Sequence, residues 1–206
     1  MIFQPTKFGK SIISSSRRPA WLRLLLRGTG SVGIDVRSCY EHWENLGYLE
    51  YLPQLSTYSI GFGLDLQSLS GLASQIHLKS LSLGFKSKCK VDWENFQDLE
   101  KVYCQGCFVD ESIWFLQHLE DLAISNCSEK DWSNVSRMIK LATIELIGEG
   151  CTDFKGLNSH RLRSISIHHN CRLSSLESDS DLSQVEDLCI TACRNLGSIS
   201  GVQKFT

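Results

Sequence analysis

The sequence predicts an α/β solenoid. About eight stacked coils each give one short strand to a parallel concave sheet and an irregular stretch with short helices to the convex side, and an N-terminal cap precedes them. Three observations lead there: a nine-residue apolar pattern that returns along most of the chain, a regular interval between its copies, and an ordinary globular composition. The 206 residues are 42% hydrophobic and 21% charged, enough to bury a substantial core and far from the balance that keeps a chain disordered.

The pattern is Leu-x-x-Leu-x-Leu-x-x-(Asn/Cys). It gives LKSLSLGFK from Leu78, LEKVYCQGC from Leu99, LEDLAISNC from Leu119, LATIELIGE from Leu141, LRSISIHHN from Leu162 and VEDLCITAC from Val185. Two weaker copies stand before these, SVGIDVRSC from Ser31 and LSTYSIGFG from Leu55. Successive copies start 24, 23, 21, 20, 22, 21 and 23 residues apart. Within a copy, positions four and six alternate inward along a short strand, and position nine turns the chain away, so neighbouring strands stack in parallel.

This period and these residue classes resemble the leucine-rich repeat family over roughly residues 31 to 206. Position nine is Cys39, Cys107, Cys127, Asn170 or Cys193 in five copies. An Asn or Cys there bonds the turn's backbone, which the interior would otherwise leave unpaired. The far wall of each coil is supplied by Trp43, Leu46, Leu69, Leu72, Trp93, Phe96, Trp114, Phe115, Trp132, Val135, Phe154, Leu157, Leu176 and Leu182. The recurrence of tryptophan near one coil position favours packing over ligand stacking. Short helices or 3₁₀ turns are expected at DWENF, ESIWFL and DWSNVSRMI, the first and last capped by their leading Asp.

Two regions follow: an N-terminal arm and cap over 1–30, and the solenoid over 31–206. In the arm, WLRLLL is expected to cover the first coil, while Lys7, Lys10, Arg17, Arg18, Arg23 and Arg27 make a basic run without acidic residues. Solvated basic arms are common at chain ends, so a solvated cap is favoured over a nucleic-acid contact. WLRLLLRG is broken by arginine and too short for a membrane span, and the first residues lack the apolar core of a secretory signal. A cytoplasmic location is expected. There the nine cysteines, an odd number spread along the chain, stay reduced as small buried hydrophobes.

No phosphate loop, Rossmann fingerprint, nucleophile elbow or His-Glu-x-x-His helix occurs, so no cofactor, metal or catalytic residue is expected. Cys104 and Cys107 have zinc-like spacing, but the repeat puts Cys104 in the core and Cys107 in the turn beside Cys127. Cys189 faces outward and Cys193 sits in a turn, so they supply no second half-site. A rim enzyme would have only His168, His169 and Cys171 to work with.

Binding is the better expectation, because an open sheet suits a macromolecular partner more than a converging pocket does. Residues 1–93 carry eleven Lys/Arg against six Asp/Glu, and residues 94–206 carry ten against seventeen. Positions two, three and five point outward and place Glu100, Glu120, Asp121, Glu145, Glu186 and Asp187 on one sheet. With Lys101, Tyr103, Arg163, His168 and His169 they form the expected partner-binding set. An acidic stripe about 20 Å long, at about 4.8 Å per strand, repels nucleic acid and steers a basic protein. Size, charge and architecture together make the chain look like a bacterial immunity protein of the contact-dependent growth inhibition type. That resemblance implies stoichiometric, 1:1 occlusion of a basic toxin or nuclease by a monomer. The alternative is a leucine-rich repeat adaptor or effector recruiting a protein partner.

Overall fold

The computed structural model describes residues 2–6, 9–13, 33–36, 45–51, 55–61, 66–126, 132–148 and 150–205. It divides into two compact units, Met1–Leu99 and Glu100–Thr206. In the first lie strands β1 (Ile2–Thr6), β2 (Gly9–Ile13), β3 (Gly33–Val36), β4 (Thr57–Ile60) and β5 (Ser80–Leu83). In the second lie β6 (Lys101–Gln105), β7 (Asp121–Ser125), β8 (Thr143–Ile147), β9 (Ser164–His168) and β10 (Asp187–Thr191). Each strand from β3 to β10 opens two residues after the start of a repeat copy, so all eight copies form a strand, the two weak ones included.

In the first unit β1 and β2 pair antiparallel, and β2, β3, β4 and β5 then pair in parallel in chain order. No strand was expected in the arm, and β1 with β2 is the departure there. WLRLLL and the four arginines lie outside the described residues, as do Cys39, Trp43 and Cys127. In the second unit β6 to β10 pair in parallel, each strand with the next, and equivalent positions of successive copies are Cα partners.

The strands form because apolar, mostly β-branched or leucine residues alternate with small polar ones, as in TIELI and SISIH. Positions four and six are buried almost without exception: Ile34, Tyr58 and Ile60, Leu81 and Leu83, Val102 and Cys104, Leu122 and Ile124, Ile144 and Leu146, Ile165 and Ile167. Each such side chain contributes about 1.5–3 kcal/mol on leaving water. Tyr58 fits this position because its hydroxyl meets that of Tyr48 at 2.7 Å. In β10 the alternation persists, but Leu188 and Ile190 are only half buried.

The coils close with 3₁₀ turns, Trp93–Asn95, Glu111–Phe115 and Ser133–Arg137 among them. A coil of 20 to 24 residues leaves little chain for the return, and a 3₁₀ turn rises about 2.0 Å per residue against about 1.5 Å in an α-helix, so it crosses with fewer residues. Trp93, Trp114 and Trp132 are buried, and Trp114 meets Trp132 edge to face at a centroid separation of 6.2 Å. Phe115 departs from the expected wall: it is 47% exposed, with the Arg137 guanidinium 5.0 Å above its ring, while Ile113 takes the interior place. Leu69 is likewise only half buried. The caps also differ. Asp92 makes no side-chain cap, whereas Asp110 accepts from the Ser112 N–H at 3.0 Å and starts the Glu111–Phe115 turn.

The turn after each strand uses two devices. At position eight Asn126, Gly148, His169 and Ala192 all have left-handed backbones, with φ from 52° to 104°. Their N–H groups reach the next coil: Asn126 to the Ile147 carbonyl, Gly148 to that of His168, and His169 to that of Thr191. At Gly148 an added Cβ would sit 3.2 Å from the Asn126 Cα, so glycine answers both the conformation and the space. At position nine Asn170, fully buried, donates to the Cys151 carbonyl at 2.8 Å and accepts from the N–H groups of Arg172 and Leu173. Cys107 does not play this part. It is exposed, and Phe108, 2% exposed, enters the interior because the Gly106–Phe108 3₁₀ turn rotates the chain by one residue.

Candidate functional site

The outer face of the sheet in the second unit is laid out by the strand register. Position three runs Lys101, Asp121, Thr143, Ser164 and Asp187, and position five runs Tyr103, Ala123, Glu145, Ser166 and Cys189. Just before the strands stand Glu100, Glu120, Ala142, Arg163 and Glu186. In this row the carbonyls of Glu100, Glu120, Ala142 and Arg163 each accept two N–H groups from the next coil, which fixes the spacing of the side chains across the face. All six acidic candidates therefore share one surface, carried by four of its five strands, which are about 4.8 Å apart.

That surface is more finely balanced than the carboxylate positions alone imply. Lys101 pairs with Asp121, the Arg163 Nε stands 3.4 Å from a Glu186 oxygen, and the His168 Nε2 stands 3.7 Å from Glu145. Among the described residues the exposed side chains of Glu120 and Asp187 make no ion pair. Exposed pairs of this kind contribute about 0–1 kcal/mol, so a partner's cations can displace them at small cost. Six carboxylates against Lys101 and Arg163 leave the face acidic.

His168 and His169 part company. His168 lies on the outer face, its Nδ1 2.6 Å from the Thr191 hydroxyl, whereas His169 sits in the left-handed turn beyond the strand and is exposed. The structure therefore makes no joint histidine site. Cys104 is buried and Cys107 exposed, so the two thiols do not share one environment. Position seven also belongs to the face. The Ser125 and Tyr103 hydroxyls share a hydrogen bond at 2.8 Å, and Gln105 accepts from the Asn126 amide at 2.6 Å. The strand's period of two, carried one step past position five, points to these residues.

Among the described residues no helix is long and apolar enough to cross a membrane. Repeated strand, left-handed turn and 3₁₀ return, in parallel register and with an Asn or Cys after the strand, define a leucine-rich repeat solenoid. An internalin from Listeria monocytogenes has a similar structure: the TM-score is 0.51 with 15% sequence identity over 91% of this chain and 72% of the internalin. No family model and no curated protein matches the chain.

Proposed function

We propose that this protein is a non-catalytic binding module that holds a basic protein against the outer face of residues 100–206. The observation that carries the reading is the row of Glu100, Glu120, Asp121, Glu145, Glu186 and Asp187 on one sheet surface, kept acidic after the internal pairs with Lys101, Arg163 and His168 are counted. Long-range attraction speeds encounter with a cationic surface, and a few desolvated contacts at Tyr103 and the paired carboxylates set the lifetime. In its sharpest form the partner is a nuclease-like toxin. The module then acts as an immunity protein, covering a cleft that is positive because it binds phosphates.

Two experiments test this at two depths. Reversing Glu120, Asp121 and Glu145 together weakens capture of a basic partner and flattens its salt dependence, while circular dichroism stays unchanged. Equal affinity for wild type and variant removes the acidic face from the account. For the immunity form, the neighbouring reading frame is expressed alone and with this chain. Toxicity alone with rescue in the pair supports it, whereas binding of a harmless partner favours the adaptor reading.

A further inference from the structure

We infer that the outer face of residues 100–206 is centred on a notch that receives one arginine side chain of the partner, floored by Ala123, walled by the Tyr103 ring and closed by the Glu145 carboxylate. This rests on the reading that the face holds a basic protein and names the feature of that protein it grips.

Tyr103, Ala123 and Glu145 are Cα partners in one row across β6, β7 and β8. A methyl group flanked on either side by a phenol and a carboxylate leaves a depression one residue wide, between side chains rooted two strand spacings, or about 10 Å, apart. The tyrosine is not free to stand away from the sheet. Its hydroxyl lies 2.8 Å from the Ser125 Oγ, on the next strand and two residues beyond Ala123. Ser125 points to the outer face, yet it is only 6% exposed. A side chain must cover it, and the bonded phenol is placed to do so. The ring therefore leans from β6 toward Ser125 and stands beside Ala123 as one wall of the notch, with Tyr103 left half exposed.

The chemistry of the walls selects the cation. Asp121 is engaged by Lys101, so the carboxylate in the notch's own row is Glu145, whose ion partner among the described residues is His168 at 3.7 Å. A guanidinium is planar and weakly hydrated, stacks on an aromatic face and still presents N–H groups edgewise to a carboxylate. A lysine ammonium is compact and strongly hydrated and uses only one wall at a time. Phosphate-bearing partners are repelled by the surrounding carboxylates.

The test is an NMR titration of the full chain, ¹⁵N-labelled, with acetyl-Gly-Arg-Gly-amide, its lysine counterpart, and hexa-arginine. Amide shifts concentrate at Tyr103, Ala123, Ser125 and Glu145, and the arginine tripeptide binds about two- to five-fold more tightly than the lysine one, the range of one exposed cation–π contact. Ala123→Leu fills the notch and removes that preference. Glu145→Gln, which leaves the floor and ring intact, weakens both tripeptides. Shifts spread evenly over Glu100, Glu120, Glu186 and Asp187 with no arginine preference overturn the notch and leave the basic-protein reading standing. Failure of all three peptides to bind overturns both.

Discussion

Replacing Asn170 by alanine removes three hydrogen bonds with one substitution. The side chain is fully buried, it donates to the Cys151 carbonyl at 2.8 Å, and it accepts from Arg172 N–H at 2.8 Å and Leu173 N–H at 3.1 Å. Two of these bonds, those to Cys151 and Leu173, are themselves buried, and each buried backbone group left without a partner costs about 1–3 kcal/mol. The third is partly accessible to water and adds about 0.5–1.5 kcal/mol. The expected loss is about 2.5–7.5 kcal/mol. Followed by the fluorescence of buried Trp114 and Trp132, the urea midpoint then falls by about 1–4 M at a slope near 2 kcal/mol/M. Asn158→Ala, at an exposed side chain, is the control and stays within about 0.5 kcal/mol. A loss below about 1 kcal/mol for Asn170→Ala would refute the argument that one side chain pins the turn.

Cys104→Ser places a hydroxyl in the interior and costs about 1–3 kcal/mol, whereas Cys107→Ser changes the midpoint little; equal losses would revive a shared zinc role. Ala192 has φ of 56°, so Ala192→Gly is expected to stabilise the turn after β10 by about 0.5–1 kcal/mol in thermal unfolding; a lower melting temperature contradicts the strain. The Gly156 N–H donates to the Asp179 carboxylate at 2.9 Å, a bond that holds the acid below its usual range. A depressed folded-state pKa stabilises above the unfolded value near 3.9 and ceases to as pH falls through the folded one. The stability gap between wild type and Asp179→Asn is therefore widest near neutral pH and closes in acid; a gap independent of pH rejects the assignment.

The strands were legible because their signal is local and repeated: Leu122 and Ile124 show the same alternation as Ile165 and Ile167. Even the weak copy at Leu55 forms one, since Tyr48 satisfies the tyrosine that replaces its leucine. Position nine was legible only in part. Asn170 bonds the turn, but at Cys107 a 3₁₀ turn carries Phe108 inward instead, and nothing in LEKVYCQGCFV separates two apolar candidates one residue apart. Phe115 and Ile113 are the same difficulty on the far wall. The outward positions of the acidic residues follow from the period of two. Their pairing with Lys101, Arg163 and His168 does not, because it depends on which copies are neighbours and on side-chain reach. The β1–β2 pairing lies outside the repeat and carries no period to announce it.

The turn ladder separates folding from recognition. Asn126, Gly148 and His169 are joined to the following coil through backbone N–H and carbonyl groups, which any sequence possesses, while the side chains at positions three and five take no part in that joint. One coil's outward residues can thus be rewritten without renegotiating the bonds that hold it to its neighbour. Partner choice in such a chain can drift coil by coil, and a new specificity is reachable by grafting a single nine-residue unit.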